Sequence, residues 1–224
     1  AIENAQFSRS LIKKWINQGN ILINGNKIKP KDILSSNDKI TIIPEENINP
    51  NHIIPEKINI EIQYEDQDLI VINKKSGIIS HPAVGNNNGT LANGLAYMYP
   101  ELQNLPRSGL IHRLDKDTTG LLIVARNIQS YTKLVKNMQE RNIDKFYIAY
   151  TYGLILKNNN INYPISRHKI DRKKMSVNIN GKEAITNYEV TKNYRNYSKL
   201  KIKLLTGRTH QIRVHMQYVG YPLI

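Results

Sequence analysis

The 224-residue chain can bury one full hydrophobic core plus a small satellite unit, so two domains of unequal size are expected. Its net charge of +14 is spread along the chain in lysine and arginine and is not gathered into a tail, which favours a folded surface facing a polyanion, nucleic acid above all. Cysteine is absent, which excludes disulfides, thiolate metal sites and cysteine nucleophiles, and with them uridine methylation through a cysteine adduct.

The first predicted element is a helix capped by Ser8 or Ser10, with Leu11, Ile12, Trp15 and Ile16 on one stripe and Arg9, Lys13, Lys14 and Gln18 on the other faces. Gly19 ends it. Ile21 to Ile23, the dipeptide Asn24-Gly25 and a strand from Lys39 to Ile43 then make a small β element, because Asn-Gly tolerates the positive φ angles of a tight hairpin. The order "SRSLIKKWINQGNILINGNKI" followed by "NDKITI" resembles the S4 RNA-binding domain, which implies that residues 1–47 lay a basic helix face, Arg9, Lys13 and Lys14, on structured RNA. Such a domain opens with a further helix, so the chain is expected to begin partway through it.

Residues 48–57 are polar and punctuated by proline, as a linker should be, and 58–224 are expected to form a second domain. In it, Ile58, Ile60 and Ile62 alternate with polar neighbours and Leu69 to Ile72 is a short buried run; both predict strands. Helices are predicted over 90–98 and 127–141, the second from Ile128, Tyr131, Leu134, Val135 and Met138 on one face. Strands are predicted over 145–150, over 175–190 with a hairpin at Asn180-Gly181, and over 199–205. The asparagine clusters at 86–88 and 158–160 read as compositional drift. The expected fold class is α+β with a mostly antiparallel mixed sheet. No apolar run approaches the ~18 residues of a membrane span, and Ala1 to Asn4 lacks the pattern of a signal peptide, so a cytoplasmic location is expected.

Pro106 to Asn127 is the segment densest in chemistry. Two apolar runs, 109–111 and 121–124, flank a polar turn with His112, Arg113, Asp115, Lys116, Asp117, Thr118 and Thr119, so charged groups would be held on a loop between rigid strands. On spacing alone this is equally a charged β-turn in which Asp115 or Asp117 caps the backbone.

The motif "HRLDKDTTGLL" (112–122) resembles the active-site motif of the pseudouridine synthases that modify bacterial ribosomal and transfer RNA, and by that match Asp115 is the catalytic carboxylate. Lys145-Phe146-Tyr147 matches the family's second motif and "LLTGRTHQIRVHM" (204–216) its third. "HPAVGNNNGTLANGL", "PISRH" and "GKEAITNYEV" are similar to a member that acts on large-subunit (23S) ribosomal RNA. Lys75 departs from the pattern, which has proline there, and "GYPLI" ends inside a segment that the family continues, so the chain is expected to be incomplete at this end too.

The resemblance implies roles for further residues. Arg213, on a helix predicted to open at Thr209, pairs with Asp115 and keeps it ionised and oriented. Tyr147 stacks on the target uracil, and its hydroxyl takes the C5 proton. Arg113 fills the space of the flipped base. Arg208, before the helix, is a phosphate or structural contact. The carboxylate either attacks C1′ or removes the 2′ proton; the sequence leaves both routes open. No cofactor is needed, and His112, His210 and His215 are not expected to bind metal, having no acidic or thiol ligand spaced with them. The resemblance points to stem-loop uridines of large-subunit ribosomal RNA as the partner, free or in 50S precursor particles, and a monomer is expected. The rivals are a related target in another RNA, a non-catalytic RNA-binding or assembly protein, and a hydrolase using Asp115 with His112.

Overall fold

The computed structural model describes residues 9–43, 53–83 and 86–224, which fall into two compact units, Ala1–His52 and Ile53–Ile224. In the first, helix α1 (Arg9–Gln18) ends at Gly19, whose φ of +79° is open to glycine at little cost. Strands β1 (Ile21–Ile23) and β2 (Asn26–Lys27) form the Asn24-Gly25 hairpin, both turn residues having positive φ, and β3 (Ile40–Ile42) pairs antiparallel on the other edge of β1. The Asn24 side chain fastens the turn to the strand beyond, donating to Asp38 (2.8 Å) and accepting from the Lys39 amide (2.9 Å). Lys13 is exposed on α1, whereas the side chains of Arg9 and Lys14, and the cap Ser8, lie outside the described residues, as do residues 44–52, which include 48–52 of the expected linker.

Among the described residues the second unit has two larger antiparallel sheets and one of two strands. Strands β4 (Glu61–Glu65), β5 (Leu69–Lys74) and β6 (Gly120–Ala125) form one, in the order β4-β5-β6. Alternation in β5 turns Ile70 and Ile72 inward against Leu122 and Val124, and α2 (Leu91–Met98) buries Leu91 and Leu95 over them. The Thr90–Asn93 capping box starts α2.

Ile53 to Lys57 differ from the linker expectation. Ile53 is buried in this core, and Asn93 of α2 is bonded on both its backbone carbonyl and its side-chain amide, to the Glu56 amide (3.1 Å) and the Ile54 carbonyl (2.8 Å). Ile58 and Ile60, expected in a strand, instead lie on α2 where Gly94 leaves room: a Cβ there would be 2.9 Å from each of their side chains.

The other sheet has the order β7-β12-β11-β8, from β7 (Lys145–Tyr152), β8 (Asn159–Asn162), β11 (Ile185–Asn193) and β12 (Tyr197–Leu204). Helix α3 (Ile128–Gln139) precedes it, and α4 (Gln211–Tyr218) buries Met216 over Leu200, Ile202 and Leu204 in a second core. The asparagine run at 158–160, read as drift, enters β8, where pairing with β11 outweighs the poor strand propensity of asparagine.

The predicted hairpin over 175–190 is also replaced. Strand β10 (Met175–Val177) pairs with β9 (Ile165–Arg167), and the Asn180-Gly181 turn returns the chain beside Ile165, so close that a Cβ at Gly181 would be 2.6 Å from the Ile165 carbonyl carbon. No helix among the described residues is long and apolar enough to cross a membrane.

Candidate active site

Asp115 lies on the loop that enters β6, and the residues on either side of it are tied down. The Leu114 carbonyl accepts from the Ser80 hydroxyl (2.8 Å), which in turn accepts from the Leu114 amide (3.2 Å). The Lys116 carbonyl accepts from the Gly77 amide (3.0 Å) and from the Lys74 ammonium (2.9 Å). Lys74 is 2% exposed and also donates to the carbonyls of Lys75 (2.9 Å) and Ile78 (2.8 Å), so one buried ammonium fastens the β5 turn to the Asp115 loop. Burial lowers its pKa, and the negative charges of Asp117 and Asp115 act in the opposite direction.

His112 is held neutral on the same loop. Its Nε2 accepts from the Ile123 amide (3.1 Å), and burial, with a contribution from Lys145, pulls its pKa down to about 4. It serves as an acceptor that seats the loop on β6, and this leaves it unsuited to act as a protonated acid beside Asp115.

Two groups from the start of α4 flank the carboxylate. Arg213 Nε is 3.7 Å from Asp115 Oδ2, a charge contact, and His210 Nε2 is 3.8 Å from Oδ1; both separations exceed hydrogen-bond length. The Asp115 side chain is 26% exposed, open enough for a substrate to reach it. Helix α4 begins at Gln211, two residues later than Thr209, because His210 takes a left-handed conformation (φ 55°, ψ 23°) at the N-cap. His210 at the N-cap and Arg213 in the first turn thus both approach Asp115.

A buried network fixes that helix start. Gln211 Oε1 accepts from the Thr206 hydroxyl and the Arg208 amide (2.9 Å each), and its Nε2 donates to the Ile185 carbonyl and the Thr186 hydroxyl (3.0 Å each). His215 is fully buried between Thr186 (Nδ1, 2.9 Å) and the Tyr163 carbonyl (Nε2, 2.9 Å). The three motif histidines are thus in three different settings, and no group of three metal-ligating side chains occurs among the described residues.

Tyr147 points inward from β7 and packs against both cores, so it stands where the two halves of the unit meet. Burial first, and the charge of Asp115 second, raise its pKa, which keeps the phenol protonated. Arg113 is exposed two residues before Asp115, and its charge reaches His81. Arg208 Nε donates to the Glu183 carbonyl (2.8 Å), a structural bond that leaves the rest of its guanidinium half-buried. Asp115, Arg213 and Tyr147 are therefore brought together, with His210 as a fourth group that the motif comparison did not single out; Lys74, Ser80 and Gln211 are the supports.

A carboxylate beside a guanidinium, with a partly buried phenol nearby, on a mostly antiparallel α+β domain is an arrangement that suits an RNA-directed, uridine-isomerising enzyme, the class to which the matched family belongs. The chain belongs to the RNA pseudouridylate synthase family, whose model matches residues 68–218, while the S4 domain model matches residues 5–40. It is 42% identical over 219 residues to the ribosomal large subunit pseudouridine synthase D of Pseudomonas aeruginosa, covering 98% of this chain and 68% of that protein. To the protein of the same name from Haemophilus influenzae it is 43% identical over 232 residues, with the same two coverages. Among solved structures, human RNA pseudouridylate synthase domain containing 1 superposes with a TM-score of 0.61 at 29% identity, over 74% of this chain and 67% of that one.

Proposed function

We propose that the protein converts uridines of large-subunit ribosomal RNA to pseudouridine with Asp115 as the catalytic carboxylate. The observation that carries this reading is the convergence of Asp115, Arg213 and Tyr147 from three separate elements, with Asp115 and Arg213 3.7 Å apart. The large-subunit target is supported by the names of the relatives at 42% and 43% identity.

The reaction breaks the N1–C1′ bond, turns the uracil and joins C5 to C1′; the C5 proton is lost to solvent and N1 gains one, so the product is an isomer. Asp115 begins it by attacking C1′ or by removing the 2′ proton, and Arg213, 3.7 Å away, orients it. Tyr147 stacks on the uracil. Because its phenol keeps its proton, any part it plays at C5 is as a relay, giving up the hydroxyl proton to water as it receives the one from the base. Arg113, exposed beside the site, fills the space of the flipped uridine, and Arg208 offers its free guanidinium edge to a phosphate. The N-terminal unit supplies affinity for structured RNA through Arg9, Lys13 and Lys14. The substrate is ribosomal RNA, free or in 50S precursors, and the enzyme acts as a monomer in the cytoplasm.

Tritium release from C5-labelled large-subunit RNA, made in cells lacking pseudouridine synthases, tests the proposal. Wild-type protein should release tritium and Asp115→Asn should not, with RNA affinity unchanged. Release by Asp115→Asn at the wild-type rate would remove Asp115 from the chemistry. No release by folded, RNA-binding wild-type protein would defeat the isomerase reading of this chain.

A further inference from the structure

Residues of β7 and β12 alternate between two faces. Tyr147, Ala149, Leu200 and Ile202 turn inward to the cores, so Phe146, Ile148, Tyr150 and Tyr152 of β7 and Tyr197, Lys199, Lys201 and Lys203 of β12 lie on the opposite side, away from Asp115. The four β7 side chains are 54%, 58%, 41% and 57% exposed, a large apolar and aromatic surface for one strand. Register sets a lysine beside three of them: Lys203 opposite Phe146, Lys201 opposite Ile148, Lys199 opposite Tyr150. Lys201 and Lys203 each stand 5.4 Å from the Phe146 ring centre, Lys199 6.0 Å from that of Tyr150, and Lys192 5.1 Å from that of Tyr194, which itself stacks on Tyr197 at 4.4 Å.

The charge on this face is lopsided. Lys203 is paired with Asp144 (2.8 Å), but Lys192, Lys199 and Lys201 make no ion pair among the described residues, although Glu189 stands opposite Lys201 in register. The centres of protein–protein interfaces are depleted of lysine, whereas rings flanked by unpaired cations are what a nucleic-acid strand with open base faces requires. A duplex hides those faces inside its stack, so the complementary ligand is unpaired RNA.

We propose that the outer face of β7 and β12 is a second RNA-binding surface that takes an unpaired stretch of the substrate, with phosphates on Lys192, Lys199 and Lys201 and bases on Phe146, Tyr150 and Tyr197. The proposal rests on the substrate being RNA but not on the identity of the catalytic residue. It gives the enzyme a hold on RNA outside the target stem-loop.

The test measures fluorescence anisotropy of the full chain with a labelled oligoadenylate, and separately tritium release from a blunt-ended target stem-loop with no unpaired tail. The variants are the double substitution Lys199→Gln/Lys201→Gln and Tyr150→Val, which keeps strand propensity; Lys133→Gln/Lys136→Gln on α3 is the control. The double variant should weaken oligoadenylate binding about tenfold and lower the slope of log affinity against log salt by about 1.4, the value for two phosphate contacts at ~0.7 each. Tyr150→Val should weaken it at least about fivefold, the lower end for loss of one stacked base. The control should bind like wild type, and all variants should release tritium from the blunt stem-loop within about twofold of wild type. Unchanged oligoadenylate affinity in both face variants would overturn the proposal. So would a dimer in sedimentation that Tyr150→Val dissolves, since the face would then belong to a second copy. If wild-type protein releases no tritium from any RNA, the isomerase reading fails and the anisotropy comparison still decides the role of this face.

Discussion

Lys74→Met is the sharpest test of how the Asp115 loop is held. Methionine keeps the length and apolar stem of the side chain while removing three hydrogen bonds from one buried ammonium, to the carbonyls of Lys75, Ile78 and Lys116. The Lys116 carbonyl retains the Gly77 amide, so two carbonyls lose the donor identified for them. At roughly 1–3 kcal/mol for each buried acceptor left unsatisfied, and with part regained because a charge no longer needs desolvation, the expected loss is about 2–4 kcal/mol. For a domain of this size that is a fall in melting temperature of roughly 5–15 °C. The loop also loses its tether one residue from Asp115, and a misplacement of ~1 Å typically costs about 10²-fold in rate. Thermal melts followed by circular dichroism, with tritium release measured well below both melting temperatures, should show both effects, and RNA affinity should stay within about twofold. A variant that melts lower but turns over at the wild-type rate would show that Lys74 braces the fold without positioning Asp115; one unchanged in both would refute the clamp altogether.

Three further outcomes follow from the same geometry. The His112 pKa falls from an ordinary 6.5 to about 4 in the folded protein, so the unfolded chain binds the proton first as pH drops; its share of stability is intact above about pH 6.5 and is lost progressively down to about pH 4. At ~1.4 kcal/mol per pH unit this reaches about 2 kcal/mol by pH 5, and urea titrations at pH 7 and pH 5 should show His112→Phe lacking that share of the wild-type decline. Gly109→Ala should cost about 3 kcal/mol or more, because φ is +77° and the new Cβ would be 2.2 Å from the Ala125 carbonyl oxygen of β6, a backbone atom that no rotamer change can move; a melting curve checks it. Gln211→Leu breaks four hydrogen bonds at the start of α4, two of them buried, so turnover should fall about tenfold or more with a smaller change in RNA affinity, measured by single-turnover tritium release and anisotropy.

The elements with strong periodicity or strong turn chemistry were legible from the residues alone. The stripe of α3, the alternation of β12 and the Asn24-Gly25 hairpin each carry their own signal. What stayed hidden was set by distant partners. Asparagine is a poor strand former, yet 159–162 make β8 because β11 offers a free edge; Met175 to Val177 chose β9 over the local hairpin. The Asp115 loop, Tyr147 and Arg213 of the proposed site stand out by motif, whereas His210 does not, because its place beside Asp115 goes with a left-handed cap that shifts the helix start. Lys74 did leave a trace: in β5 it has the inward parity of Ile70 and Ile72, and a lysine at a core position needs buried acceptors.

Tyr147 stands between two cores, and the proposed site is built from both. One core carries Asp115 on the β6 loop, the other carries Arg213 and His210 on α4, and Tyr147 packs against both. The carboxylate and its cation therefore belong to different cores, and their separation is set by how those cores meet. Hydrogen bonds are nearly fixed in length, whereas looser contacts, such as that of Arg213 at 3.7 Å and His210 at 3.8 Å, tolerate small shifts. In the proposed mechanism a flipped uridine enters between these groups, so contacts that are loose before binding, on loops braced by Lys74 and Gln211, would allow entry while the bracing keeps the carboxylate aimed. The large penalties should accordingly fall on the braces, and exchanging Arg213 for lysine, which keeps the charge but loses the planar fork, should lower turnover more than stability.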